Sequence, residues 1–235
     1  MTVLGTRWLI PAVALTGVAA GAGAMWAAGG GSDRSRVERI VHEYVLDHPE
    51  IIPAAMERLQ RREQGRAVQA AGDAVTTPYA GAFVGNPDGD VVLVQYYDYN
   101  CGYCRASEPV IAKLVAEDRG LKVVFRELPV LSASSRDGAR ASLAAAKANR
   151  FKTFHDALYA GGRVTSETIA LAAKRAGMAL PRDFTEADAE IGRNMRQAGE
   201  LGINGTPSWV VGDQVFVGAQ SVERLKAAIA AARRG

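Results

Sequence analysis

The first regular pattern of apolar residues along the chain has the period of a helix. Five apolar side chains recur at i, i+3, i+4, i+7 and i+8: Val37, Ile40, Val41, Tyr44 and Val45. This spacing places them in one stripe along the helix. Pro49 interrupts it, and a second helix is predicted to begin near there, with apolar positions at Ile52, Ala55, Met56 and Leu59. Such stripes must be buried, either on the rest of the chain or against a copy of themselves.

The middle of the chain has the alternation of strands and helices that is typical of an α/β domain. The continuous apolar run Val91–Tyr97 predicts a buried strand, and residues 121–126 predict another. Between them, the spacing of Ile111, Leu114 and Val115 predicts a helix. A short strand is also predicted over 80–84. In a β-α-β unit of this kind, chemistry gathers at the carboxyl ends of the strands.

The pattern from about 134 to 201 is helical throughout. Thr165 or Ser166 is predicted to cap a helix that ends at Gly177. Asp183 and Glu186 have the spacing of a capping box and predict the start of a further helix. Because strands are predicted on both sides, this region is expected to be a helical insertion into one sheet.

A predicted hairpin over 208–217 and a helix capped by Ser221 end the chain. A length of 235 residues, of which 48% are hydrophobic, suits one domain with extensions or an inserted domain. The formal net charge is only +3, without a basic run or basic-aromatic pattern. No nucleic-acid partner is therefore expected.

The first residues have the pattern of an export signal. Arg7 precedes an apolar run from Trp8, and Ala22-Gly23-Ala24 is a candidate cleavage site. Residues 1–24 are therefore predicted to be a signal peptide. An uncleaved membrane anchor is the alternative, because the uncharged stretch continues to Ser32. In both cases we expect the rest of the chain to be periplasmic or otherwise extracytoplasmic, where a dithiol can be kept as a disulfide.

The candidate chemistry lies in Cys101-Gly102-Tyr103-Cys104, which contains the only two cysteines of the chain. Cys101 is predicted to lie where a strand ends and a helix begins, and a helix N-terminus stabilises an anion. Since the thiolate is the reactive form, Cys101 is predicted to attack disulfides. Cys104, one turn later, is predicted to resolve the mixed disulfide. Gly102 and Tyr103 carry no cation, so we expect a less extreme oxidant than a histidine-bearing site.

Three other interpretations of the cysteine pair compete with a redox-active dithiol. A structural disulfide closing so short a loop would add little stability. A zinc site would need two more ligands, and the histidines are scattered at His42, His48 and His155. Two free core cysteines would rarely have this spacing by chance. We therefore predict a redox site with no metal and no cofactor, and His155 is expected to be a packed helical histidine.

The segment Tyr96-Tyr97-Asp98-Tyr99-Asn100-Cys101-Gly102-Tyr103-Cys104 and the later segment Gly202-Ile203-Asn204-Gly205-Thr206-Pro207 resemble the DsbA-like branch of the thioredoxin superfamily. Within it, the chain resembles the suppressor-of-copper-sensitivity type over about residues 36–233. The resemblance implies an α/β thioredoxin-like fold with an inserted helical domain and an N-terminal helical extension. It also implies a cis Thr206-Pro207 bond that faces the dithiol and helps to bind clients. One departure is Gln95, where many relatives have an acidic residue.

The resemblance also implies a domain organisation and a function. Residues 33–66 would be a helical oligomerisation extension, and residues 76–235 a DsbA-like thioredoxin domain with a helical insertion at about 134–201. The function would be thiol:disulfide exchange, most of all disulfide isomerisation, on exported proteins that contain cysteines. The expected partners are these clients, a membrane redox protein and further copies of the chain. A monomeric dithiol oxidase is one alternative, and a chaperone or Cu(I)-binding module is an alternative of another class.

Overall fold

A computed structural model describes residues 33–234, so the leader predicted over 1–24 lies outside the described residues. The chain divides into two compact units, the first ending at Arg58 and the second beginning at Leu59. Helix α1 spans 33–47 and ends before Pro49, as the position of the proline predicts. Helix α2 spans Ile51–Ala71 and the short helix α3 spans Asp73–Thr76. Within the described residues, no helix has the length and apolar content needed to cross a bilayer.

Helix α2 continues through a glycine in its second half. Gly65 is buried, and a Cβ atom at this position would lie 3.3 Å from the backbone oxygen of Asp213. Glycine therefore allows the helix to approach this part of the chain closely, although it is a poor helix former. Val68, less than one turn later, is also buried and packs in a cluster that contains Val94 and Val210.

Five strands form one mixed sheet in the order β1-β3-β2-β4-β5. Their bounds are β1 Phe83–Gly85, β2 Val91–Tyr97, β3 Leu121–Glu127, β4 Ser208–Val211 and β5 Gln214–Val217. Strands β2 and β3 are parallel, and the other neighbouring pairs are antiparallel. The strand predicted over 80–84 begins later than expected, since Ala80 has a left-handed φ of 46° and the chain turns before Phe83.

Helices connect the strands much as the sequence predicts. Helix α4 joins β2 to β3, a run of helices lies between β3 and β4, and one helix ends the described chain. Their bounds are α4 Gly102–Glu117, α5 Ala133–Lys147, α6 Phe151–Ala160, α7 Ser166–Arg175, α8 Thr185–Glu200 and α9 Val222–Ala232. The arrangement is the α/β fold with inserted helices that the resemblance implies.

The predicted helix starts hold at two places and fail at a third. Thr165 caps α7 and Ser221 caps α9, each by accepting a backbone N–H through its side-chain oxygen. The capping box at Asp183 and Glu186 is wrong, because the residue before α8 is Phe184. The Asp183 carboxylate instead accepts hydrogen bonds from the backbone N–H and the hydroxyl of Thr185, at 2.8 and 2.6 Å.

The two faces of the sheet pack into separate apolar clusters, because successive side chains of a strand point to opposite faces. Leu93 and Tyr97 of β2 belong to a large cluster that also contains both cysteines. Val94 and Tyr96, the alternate residues of β2, belong to the cluster on the other face. The dithiol therefore lies against the larger of the two clusters.

Candidate active site

Cys101 is the N-cap residue of α4, with extended backbone angles of φ −77° and ψ 115°. Its Sγ accepts a hydrogen bond from the backbone N–H of Cys104 at 3.4 Å. The N–H groups at the start of a helix have no partner within the helix, so they are available to a sulfur anion at this position. Both cysteines are free thiols in the structure.

The loop before β4 places a second element against Cys101. The Cys101 thiol donates to the backbone oxygen of Thr206 at 3.3 Å, and the Thr206-Pro207 peptide bond is cis. The Oγ1 atom of Thr206 is buried and has no hydrogen-bond partner in the described chain. The structure therefore brings together the two motifs that the sequence analysis singled out. Gly102 and Tyr103 lie in the first turn of α4, where Tyr103 is 71% exposed.

Cys104 lies one turn inside the helix and differs sharply from Cys101 in its surroundings. It has no solvent exposure. Burial is the main cause that raises the pKa of its thiol above the usual range, since a charged sulfur loses hydration in an apolar cluster. At neutral pH, Cys104 is therefore a protonated thiol.

Gln95 of β2 occupies the position at which the family resemblance leads one to expect an acidic side chain. It is fully buried, and neither its amide nitrogen nor its amide oxygen has a hydrogen-bond partner in the described chain. Phe125 and Trp209 are its neighbours on the two adjacent strands. Because an amide cannot take up a proton at neutral pH, Gln95 cannot serve as an acid or base for the dithiol.

Two polar side chains before the motif organise the loops around it, and the sequence analysis did not assign them this role. The buried Asp98 accepts the backbone N–H of Asn100 at 2.8 Å and that of Leu131 at 3.0 Å. Asn100 accepts the backbone N–H of Val164 at 3.0 Å. The amide nitrogen of Asn100 also donates to three serine hydroxyls near the start of α5, those of Ser132, Ser134 and Ser135. These contacts fix the loops that flank Cys101.

A buried polar network runs beneath the site, between β2, β3, α5 and α6. Tyr97 donates to the carboxyl of Glu127 on β3, and the Tyr97 and Tyr99 hydroxyls are 3.3 Å apart. Tyr99 lies 2.9 Å from Nδ1 of His155, which is 1% exposed and therefore packed, as the sequence predicts. Burial raises the pKa of Glu127 to about 8. The network joins residues far apart in sequence, so no local motif indicates it.

Within residues 33–234, no group of three or more His, Cys, Asp or Glu side chains has a geometry that could hold a metal ion.

Two family models match the chain in separate regions. The DSBA-like thioredoxin domain matches residues 92–230, which include both cysteines and the Thr206-Pro207 loop. The copper resistance protein ScsC N-terminal domain matches residues 33–65, which cover α1 and most of α2.

Solved structures of similar proteins support the same assignment. A thioredoxin-like oxidoreductase from Silicibacter pomeroyi is 36% identical, over 69% of this chain and 98% of that one, with a TM-score of 0.66. A linker-deletion mutant of Proteus mirabilis ScsC is 25% identical, over 86% of this chain and 95% of that one, with a TM-score of 0.69. These similarities confirm the predicted thioredoxin-like fold with its N-terminal helical region.

The curated relatives that match are much longer proteins. A sodium/proton antiporter, NhaA 1 of Salinispora arenicola, is 28% identical over 160 residues. These residues make up 64% of this chain, but the match covers only 24% of the antiporter. The chain thus spans about a quarter of the length of the curated relatives it matches.

Proposed function

Because the chain belongs to the DSBA-like thioredoxin domain family, a family of thiol-disulfide oxidoreductases, we propose that it is an exported thiol-disulfide oxidoreductase that isomerises disulfides in misoxidised clients. Cys101 attacks a client disulfide, which gives a mixed disulfide and a free client thiol. Another client thiol then displaces Cys101 and forms a rearranged disulfide, or Cys104 displaces the client, which leaves the client reduced and Cys101 joined to Cys104. The clients are exported proteins that contain cysteines, and a membrane redox protein keeps the dithiol reduced. The compartment is the periplasm or another extracytoplasmic space.

The observation that carries this proposal is the position of the Cys101 sulfur. It lies at the N-terminus of α4 and 3.3 Å from the backbone oxygen of Thr206. The first feature stabilises a thiolate. The second places the Thr206 backbone beside the sulfur, directly before β4, where a client strand can add by main-chain hydrogen bonds. Binding of this kind needs no particular client sequence.

The preference for isomerisation rests on the N-terminal helices. The stripe side chains Val37, Ile40, Val41 and Tyr44 are 54–57% exposed in the single chain. Exposed apolar side chains in a row indicate an interaction surface. The match of residues 33–65 to the ScsC N-terminal domain supports a surface that binds further copies of the chain. Several active sites around one client raise their effective concentration, which favours repeated exchange over a single oxidation.

The proposal is tested with a double variant in the stripe, Ile40→Glu with Tyr44→Glu. A charge at these positions would be buried in an oligomer without a partner, so we expect monomers by light scattering. The variant should still oxidise a simple peptide dithiol, because the cysteines are unchanged. Its rate of reactivating scrambled ribonuclease should fall about tenfold or more, since the sites no longer act together.

The matched control is Arg39→Glu, which adds negative charge to the same helix outside the stripe. It should keep the oligomer and the isomerase rate. A wild-type chain that is already monomeric would contradict the oligomer and favour the alternative of a monomeric dithiol oxidase. Stoichiometric client binding without turnover would contradict an enzyme and favour a chaperone or Cu(I)-binding module.

A further inference from the structure

Glu108 of α4 and His155 of α6 form a carboxyl-imidazole contact close to the dithiol. Oε2 of Glu108 lies 3.2 Å from Nε2 of His155, and the two side chains are 24% and 1% exposed. The other carboxyl oxygen, Oε1 of Glu108, is buried without a hydrogen-bond partner in the described chain. One carboxyl oxygen is therefore available to accept a proton from another group.

The opposite nitrogen of the His155 ring is held by Tyr99, whose hydroxyl lies 2.9 Å from Nδ1. The same hydroxyl lies 2.9 Å from Oγ of Ser142. Nε2 of His155 lies 3.2 Å from Glu108, but it is buried and makes no hydrogen bond of standard geometry within the described chain. The pair therefore has two buried polar atoms, Nε2 of His155 and Oε1 of Glu108, that no other group of the described chain satisfies.

Glu108 shares a helix face with the thiol that must lose a proton. Cys104 and Glu108 are four residues apart on α4, so they are neighbours on one face of the helix. Side chains on a helix lean towards its N-terminus, which directs Glu108 back over Cys104. Bulk water does not reach the fully buried Cys104. Gln95, which occupies the usual acidic position, cannot accept its proton.

We propose that the Glu108–His155 pair takes the proton of Cys104 when the mixed disulfide is resolved, an inference that rests on the roles proposed above for the two cysteines. The Cys104 thiol gives its proton to the pair, and its sulfur attacks Sγ of Cys101. A bond forms between the two cysteine sulfurs, and the bond from Cys101 to the client breaks. The client leaves as a thiolate with the electron pair, and its sulfur is reduced as Cys104 is oxidised. In the reverse reaction the pair returns the proton to the departing Cys104 thiolate.

Several other titratable or charged groups face the pair and must be considered in a pH experiment. They come from α4, α6, the segment around the end of β2, and β3: Cys104, Arg105, Tyr159, Tyr97, Asp98, Tyr99 and Glu127. Burial raises the pKa of each of the three tyrosines well above the usual range, so they stay neutral. Glu127 titrates near neutral pH, with its pKa raised by burial to about 8. The test therefore compares a variant with the wild type at each pH, because Glu127 is present in both.

The test uses the full chain with Cys101 joined to glutathione as a mixed disulfide. Acid quenching and mass spectrometry then follow the release of glutathione by Cys104 across the pH range in which the protein stays folded. Glu108→Gln keeps the shape of the side chain but cannot take the proton. It should slow the release about tenfold or more at neutral pH. The difference should shrink as the pH rises, since hydroxide then removes the thiol proton. Glu108→Asp should recover part of the rate.

The matched control is Glu117→Gln, which removes the same charge near the C-terminal end of α4, where Glu117 pairs with Lys113 and Lys226. It should release glutathione at the wild-type rate. The inference is overturned if Glu108→Gln matches the wild type, or if it is slower by the same factor at every pH, which would indicate a structural role. A wild-type protein that releases no glutathione would instead overturn the proposed roles of the cysteines, and this inference with them.

Discussion

Glu127 is a buried carboxyl group whose protonation links folding to pH. It is 2% exposed, and the Tyr97 hydroxyl donates a hydrogen bond to it but brings no positive charge. Burial raises its pKa from the ordinary value of 4.5 to about 8. The folded protein therefore holds this proton more tightly than the unfolded chain does, and binds more protons between these two values.

The stability contributed by protonated Glu127 should be complete below about pH 4.5 and should be lost as the pH rises towards about 8. Glu127→Gln stays neutral, so its unfolding free energy should lack this decline. Between these two pH values, the wild type should lose on the order of a few kcal/mol more unfolding free energy than the variant. Urea unfolding at several pH values measures it. Parallel pH profiles for the variant and the wild type would contradict a neutral buried Glu127.

Residues of the site differ in how far the sequence could predict them. The cysteine pair and Thr206-Pro207 lie in short motifs, so sequence could single them out before the 3.3 Å contact was known. Glu108 and His155 belong to no motif and meet only in the folded chain, one on α4 and the other on α6. Their pairing depends on tertiary structure, and single-sequence reasoning could place His155 only on a packed helical face.

Helix α2 depends on one glycine for its close packing. A Cβ atom at Gly65 would lie 3.3 Å from the backbone oxygen of Asp213, whereas the nearest atom to a Cβ at Gly192, in α8, is the end of the flexible Arg196 side chain. Gly65→Val should therefore lower the unfolding free energy by about 1–3 kcal/mol through overpacking. Gly192→Val is the matched control.

The Gly192→Val variant should change stability by less than about 1 kcal/mol, because valine is a better helix former than glycine and has room at that position. Thermal unfolding of both variants measures the difference. Equal stability of the two valine variants would show that the close approach of α2 at Gly65 is not required for packing.

At the level of elements, the spacing of apolar residues predicts most of the helices and strands. It does so because a helix or strand with one buried face has apolar residues at regular intervals, and a strand buried on both faces has a continuous apolar run. Val91–Tyr97 was predicted with its observed bounds, since a central strand has apolar side chains on both faces. Asp183 and Glu186 have the residue types and spacing of a capping box, so the predicted start of α8 is wrong. The Asp183 carboxylate instead accepts a hydrogen bond from the backbone N–H of Thr185, the first residue of α8. The sequence does not predict that α2 continues through Gly65, because glycine is a poor helix former and this one allows close tertiary packing.

At the scale of the whole molecule, the chain combines a dithiol domain with N-terminal helices that expose an apolar stripe. The stripe was predicted from its spacing, and its exposure in the single chain supports the proposed association of several copies. Neither the number of copies nor the clients follow from one chain, because both depend on surfaces of other molecules. In both the isomerase and the oxidase, Cys101 is the sulfur that forms the mixed disulfide with the client, and Cys104 is its partner in the internal disulfide.

The most direct measurement of that claim is the capture of mixed disulfides with scrambled ribonuclease, using single-cysteine variants and peptide mapping by mass spectrometry. Cys104→Ser keeps the attacking sulfur at the start of α4 and loses the resolving thiol, so covalent complexes joined through Cys101 should accumulate. Cys101→Ser leaves only the buried, protonated Cys104 and should capture almost nothing. Capture through Cys104 in Cys101→Ser, with none through Cys101 in Cys104→Ser, would contradict the account.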